Sequence, residues 1–185
     1  LKAPRDYIES NIVGFLNVLE YARQCVSLET MIYASSSSVY GDRDHGVFKE
    51  TDRCDAPVSL YSATKLSDEL IAHSYAHLFA MPLTGVRLFT VYGSWGRPDM
   101  AYWTFADKIL RGEPIQLFNN GNVARDYTHG KKALVEKAPM QKGDVHLTHA
   151  GIEKVKVDYG FSPIVSLEEG IGEFIAWYRK WHAND

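Results

Sequence analysis

The chain has 185 residues, 45% of them hydrophobic and 12% aromatic, which suits one well-packed core or a core with a small lobe. Its net charge of -3 gives no basis for binding nucleic acid or an anionic membrane surface. No apolar run nears the roughly 18 residues of a membrane helix and no signal peptide opens the sequence; Cys25 and Cys54 make no disulfide framework and read as free thiols in a reducing cytoplasm.

In chain order, residues 6–24 carry a helical stripe of Ile8, Ile12, Phe15, Leu16, Leu19 and Ala22 at three- and four-residue steps. Met31, Ile32, Tyr33 and Ala34 form a short apolar run that ends in serines, as a buried parallel strand does when it delivers side chains at its carboxyl edge. The polar stretch 42–60 contains Pro57 and reads as a loop. A helix is predicted from Tyr61 to Phe79, with Leu66, Leu70, Ile71 and Leu78 for packing. Pro82 ends it, and Thr84 to Phe89 is the next strand. Strand, helix and strand in this order point to an α/β sheet with crossover connections. Beyond Tyr92, Gly93, Gly96 and Pro98 make a loop, Ala101–Leu110 a helix, and Ile115–Phe118 a short strand. Residues 119–150 show no sustained periodicity. Ser166 and Glu169 then form a capping box for a final helix faced by Leu167, Ile171, Phe174, Ile175 and Tyr178.

Chemistry concentrates at two places. Ser35, Ser36, Ser37 and Ser38 precede Val39, Tyr40 and Gly41, and SLYSATK supplies Tyr61 and Lys65 downstream. Tyrosine is a poor base at neutral pH, with a reference pKa of about 10. A lysine ammonium one helical turn away favours the phenolate, and i,i+4 spacing sets both side chains on one helix face. A serine hydroxyl at a nearby strand end can share the proton such a tyrosine removes. These are the parts for taking a proton from an alcohol while its carbon loses a hydride. His73 and His77 also share a helix face, but with no HExxH glutamate and no third ligand they read as a surface pair and no metal site is expected. Trp177, Tyr178 and Trp181 read as a packed helix end.

YASSSSVYG followed by SLYSATK resembles the extended short-chain dehydrogenase/reductase family, and the likeness covers most of the chain. RLFTVYG, GRPDMA and RDYTH resemble its nucleotide-sugar epimerases, most of all UDP-glucuronate 4-epimerases. The resemblance implies NAD as cofactor and a UDP-sugar as substrate. It implies Tyr61 as catalytic acid/base and Lys65 as the residue that lowers its pKa and holds the nicotinamide ribose. Ser36 and Ser38 would flank the sugar O4 with Ser37 beside them on the substrate. Asn11 in SNIVGFLNVLE, Ser35 and Phe89 fall on the cofactor side. Arg87 precedes Phe89 and Thr90 at the strand end where family members line the nicotinamide pocket, and Thr90 begins the sugar-nucleotide contacts. Arg97 in GRPDMA and Arg125 in ARDY match arginines that meet the sugar carboxylate or the diphosphate, for which a planar guanidinium fork is suited. Family members often pair through two helices, one of them that carrying Tyr61, so a homodimer is among the expected partners.

The fold implied is α/β: a partial Rossmann-like, doubly wound parallel sheet whose N-terminal strands are missing, with a small C-terminal substrate-binding lobe. Residues 1–93 would be the C-terminal half of an NAD-binding domain and 94–185 a reduced substrate-binding region. The glycine-rich phosphate loop and the acidic residue about 20 positions beyond it are absent from these residues. After RDYTH the chain runs directly into GKKALVEKAPMQKGDV, whose KAPMQKGDV resembles a family segment much nearer the C-terminus, so a deletion is expected between His129 and Gly130. Related dehydratases and decarboxylases place a carboxylate beside the first serine or threonine; Ser36, Ser37 and Ser38 offer none, and a serine hydroxyl is a weak general acid or base without activation. Epimerisation is the expected reaction. The alternative is a truncated, inactive module that serves binding or oligomerisation.

Overall fold

Pro4 opens the first helical stretch of the computed structural model, which describes residues 3–43, 46–118, 135–139 and 145–182. A proline is tolerated there because its missing N–H would have no intrahelical partner. The stretch runs as α1 (Pro4–Tyr7), a π-helical turn (Ile8–Val13) and α2 (Gly14–Arg23). A π turn holds an extra residue, so it rotates the apolar stripe out of phase. Phe15, Leu19 and Ala22 reach the core, whereas Ile8 and Leu16, expected on the same stripe, are exposed.

Parallel strands need a crossover connection, and one helix supplies it here. Strand β1 (Met31–Ser36) is followed by a 3-10 turn (Ser37–Tyr40), helix α3 (Leu60–Phe79) and strand β2 (Leu83–Leu88). β1 and β2 pair in parallel from Met31 opposite Leu83 to Ser36 opposite Leu88. Ser59 caps α3: its Oγ accepts from the Ser62 N–H at 3.1 Å, and the Ser62 Oγ accepts from the Ser59 N–H at 3.0 Å. The helix ends at Ala80 in the left-handed region, just before Pro82. Leu19, Ala22 and Met81 are buried, with Phe15, Leu28, Met31, Ile71, Tyr75 and Leu83 against them.

The expectation of a strand buried on both faces is corrected. Tyr33 packs on Phe15 of α2 at 5.2 Å between ring centroids, and Ser35 bonds to α3, so the odd-numbered residues of β1 are covered. Ile32, on the other face, is 67% exposed, and Ala34 is exposed too. Leu70 and Leu78 of α3 likewise face outward rather than into the core.

The chain divides into two units. The first is Leu1–Phe89 with Gly143–Ala150, and the second is Thr90–Lys142 with Gly151–Asp185. The division therefore falls at the end of β2, and a short later segment returns to the first unit. Its attachment is visible in the Phe48 N–H donating to the His149 carbonyl at 2.8 Å and the His146 N–H donating to Asp42 at 3.1 Å. In the second unit, α4 (Ala101–Arg111) and α6 (Leu167–His182) bury Tyr102, Ala106, Phe174 and Tyr178 together. Tyr178 donates to Asp107 at 2.7 Å, and Trp177 packs on Trp103 and Trp181, which makes the helix end a packed aromatic cluster. Ser166 and Glu169 exchange the two bonds of the capping box at 2.9 and 3.2 Å. Strands β3 (Ile115–Phe118) and β4 (Val135–Ala138) pair in parallel. β4 and the short helix α5 (Glu153–Tyr159) were not among the expected elements. Among the described residues no helix is long and apolar enough to cross a membrane, and Cys25 and Cys54 are both free thiols.

One ionic knot ties the carboxyl ends of both strands to α3. Arg87 of β2 donates from Nε and Nη2 to the two oxygens of Glu69 on α3, at 2.9 and 2.8 Å. Ser35 of β1 donates to the same carboxylate at 2.5 Å. The Arg87 guanidinium also lies 4.8 Å over the Tyr40 ring. Burial pushes the Glu69 carboxyl up, but the bonds from Arg87 and Ser35 outweigh it and hold the group below its ordinary range. The pair is largely withdrawn from water, at 20% and 16% exposure, so removing one partner leaves the other charge poorly solvated.

Two stability experiments follow. Glu69→Gln should cost about 2–3 kcal/mol in urea unfolding, since the amide keeps one acceptor but no charge. Because the folded-state pKa of Glu69 is depressed, its contribution is present above the ordinary carboxylate range and is lost as pH falls through the folded value. The difference between wild type and the variant should therefore shrink in acid. Gly41, which ends the serine turn, has φ +75°, and a Cβ there would sit 2.5 Å from the Ala56 carbonyl oxygen. Gly41→Ala should cost about 2 kcal/mol or more by the same assay, from strain and backbone contact together.

Candidate active site

The carboxyl end of β1 and the first turns of α3 bring the serine run and the Tyr61–Lys65 pair into one unit. Ser36 is extended, at φ -151°, and caps the 3-10 turn that follows. Its Oγ accepts from the Ser38 N–H at 3.2 Å and from the Ser38 hydroxyl at 2.9 Å. Both acceptor positions of Ser36 are thus used within the turn, and its own proton is left to donate. Ser37 stands between them, half-buried at the start of the turn.

Tyr61 is the second residue of α3 and is 38% exposed, with its ring edge-on to Tyr7 at 6.3 Å. Lys65, one turn later, points its ammonium at the strand: Nζ donates to the Ala34 carbonyl at 3.0 Å and to Asp68 at 3.2 Å. An ammonium has three N–H donors, so one remains for a ligand or for the tyrosine.

Asn11 lies in the π-helical turn. Its Nδ2 donates to the Thr64 Oγ1 at 2.8 Å, and that hydroxyl donates to the Tyr61 carbonyl at 2.8 Å. The asparagine therefore reaches the backbone of Tyr61 through one buried threonine. Ser35 is buried and its hydroxyl is given to Glu69. Phe89 sits beyond β2 among Tyr40 and Phe48, at 6.4 and 6.2 Å between ring centroids.

Thr90 and Arg97 belong to the second unit, where both are exposed. Arg97 offers its fork to Asp99, at 3.0 Å from Nε and 2.5 Å from Nη2. Arg125 and the His129–Gly130 join lie outside the described residues. Three site residues were not singled out from sequence: Thr64, Asp68 and Glu69. Helical spacing could have found two of them, since Asp68 and Glu69 fall three and four positions after Lys65 and so share its face.

Comparison with known proteins extends this geometry. A family model described as the NAD dependent epimerase/dehydratase family matches residues 1–133. A curated, uncharacterised protein of Methanocaldococcus jannaschii is 40% identical over 222 aligned positions, covering 97% of this chain and 68% of the relative. A probable UDP-glucuronate 4-epimerase of Rhizobium meliloti is 35% identical over 241 positions, covering 97% of this chain and 70% of the relative. Both alignments are longer than the 185 residues here, so both relatives hold residues inside the matched span that have no counterpart in this chain. Among solved structures, the UDP-glucuronic acid 4-epimerase of Bacillus cereus in complex with UDP-glucuronic acid and NAD superposes with a TM-score of 0.89 at 27% identity, over 96% of this chain and 69% of the other. The Rossmann-like α/β fold read from β1, α3 and β2 is thus shared with these enzymes, and the chain belongs to the NAD-dependent epimerase/dehydratase family.

Proposed function

We propose that the Tyr61–Lys65 site performs NAD-dependent 4-epimerisation of a UDP-sugar, with UDP-glucuronate and UDP-galacturonate as the interconverted pair. The observation that supports the reading is the Lys65 ammonium, one helical turn after Tyr61, on the Ala34 carbonyl two residues before the Ser36–Ser38 turn, in a chain whose relatives include UDP-glucuronate 4-epimerases. NAD, when bound, supplies hydride acceptance from the sugar C4 and hydride return to the opposite face.

The chain's own residues manage the proton and the geometry. Tyr61 takes the O4 proton as the alcohol becomes a ketone and gives it back on the return step, so no net proton is consumed. Lys65 places a fixed positive charge one turn from Tyr61 and keeps one N–H for the ribose. Ser36 donates its remaining proton toward O4, and Ser38 fixes the orientation of Ser36. Asn11 and Ser35 act on the cofactor side by holding Tyr61 and the strand end in place, and Phe89 forms an apolar wall there. Ser37 and Thr90 bind the substrate. Arg97 and Arg125 take the uronate carboxylate or the diphosphate; the two-point grip of Arg97 on Asp99 is the same geometry that a uronate carboxylate would accept. No carboxylate flanks Ser36 in the sequence, which disfavours elimination, since that reaction needs an extra acid or base there. We assign 1–93 to the cofactor side and 94–185 to a reduced substrate region. We place the residues missing relative to the curated relatives at the His129–Gly130 join, and the two thiols fit a cytoplasmic location.

The test is to mix the purified chain with NAD and UDP-glucuronate and separate the products. Formation of UDP-galacturonate supports the reading, and Tyr61→Phe should lower turnover by about a hundredfold or more while NAD stays bound. Unchanged turnover in Tyr61→Phe would sink the assignment of Tyr61. A folded chain that retains no NAD and forms no product would instead match a binding or oligomerisation module.

A further inference from the structure

Asp68 is the most deeply buried acidic side chain described in the first unit, at 1% exposure. One of its oxygens, Oδ2, receives the Lys65 ammonium at 3.2 Å; the other, Oδ1, is buried with no hydrogen-bond partner among the described residues. Burial pushes its carboxyl above the ordinary aspartate range, against the pull of Lys65. A half-satisfied carboxylate in such a place is costly, and apolar residues of similar size would fill it more cheaply. The surrounding charges do not explain its presence. Tyr33 on β1 and Glu69 on α3 give it no positive charge, and Arg87 on β2 is already taken by Glu69. Lys65 is its counter-charge.

We propose that Asp68 is a positioning residue for the Lys65 ammonium. With the Ala34 carbonyl it forms a two-point seat, at 3.2 and 3.0 Å, that fixes a long, rotamer-rich side chain in one direction. Two of the three N–H donors are spent in the seat, which leaves one for another acceptor. Without the carboxylate, Nζ keeps a single carbonyl contact and its four-carbon stem can swing. The catalytic consequence rests on the epimerase reading above, but the seating of Lys65 does not.

The experiment therefore has two arms. In the first, lysine 15Nζ NMR on the chain without added ligands follows the Lys65 ammonium, assigned through Lys65→Met. A seated, salt-bridged ammonium exchanges its protons slowly enough to be seen. Asp68→Asn should broaden that signal away, and Asp68→Glu, which keeps the charge on a longer arm, should restore part of it. In the second arm, with NAD and UDP-glucuronate, Asp68→Asn should lower kcat by about ten- to a hundredfold, the effect of a displacement near 1 Å. The KM for the sugar nucleotide should stay within about twofold, because Asp68 is buried and is argued to act only through Lys65. An Asp68→Asn chain that keeps the Lys65 signal overturns the proposal, and so does one that loses the signal but keeps wild-type kcat. If Asp68→Asn does not fold, the absence of any change of the Lys65 signal in Asp68→Glu overturns it as well. If the wild-type chain turns over no sugar, the epimerase reading fails while the ammonium signal still decides whether Asp68 seats Lys65.

Discussion

The Glu69–Arg87 ion pair, with Ser35 as its third member, is the constraint on which the rest of the first unit depends. Two parallel strands with a crossover helix have no covalent reason to end at the same level. Here the helix carboxylate is bonded from both strands at once, so β1, β2 and α3 are registered at their carboxyl ends. Once that level is set, the next residues of β1 turn away as Ser36–Ser38, and the turn of α3 before Glu69 carries Lys65. The strand end and the helix start thus face each other because a salt bridge one turn deeper holds them. In α/β folds ligands sit outside the carboxyl ends of the strands, and that is where these side chains are gathered.

A second link sets the outer boundary of the site. The π-helical turn shifts the helix phase so that Asn11 faces α3 while Phe15, Leu19 and Ala22 still reach the core. A regular helix over the same residues would continue one stripe from Ile8 onward. Through Thr64, the asparagine then fixes the backbone of Tyr61. Structural bonds and chemical groups are interleaved along α3: Tyr61, Lys65 and Asp68 on the site side, Thr64 and Glu69 holding the helix to its neighbours.

Much of this was legible in the residues. Local rules predict α3 because its apolar steps and terminating Pro82 are both short-range. They predict β1 and β2 as strands flanking it, and the Ser166–Glu169 box at the start of α6. The serine run and the Tyr61–Lys65 spacing were legible for the same reason, since i,i+4 spacing is a property of one helix. The faces of the elements were less legible. Ile8, Leu16, Leu70 and Leu78 have the right spacing for a core, yet they are exposed, because burial depends on what packs against a face and not on the face alone. The short helix α5 and strand β4 carry too few residues to show a period.

The sequence by itself determined the local elements, the serine run and the Tyr61–Lys65 pair, and the likeness to nucleotide-sugar epimerases, because each is written in contiguous residues. Only the tertiary structure decided which side chains are spent on holding the site and which remain for chemistry. Asn11 to Thr64, Ser35 to Glu69, Arg87 to Glu69 and Lys65 to Ala34 all join residues distant in sequence, and no spacing rule relates them. The seat of Lys65 shows the difference. Asp68 is simply a helix acid in the sequence, and it becomes a buried, half-satisfied carboxylate only in the fold, where it is withdrawn from water.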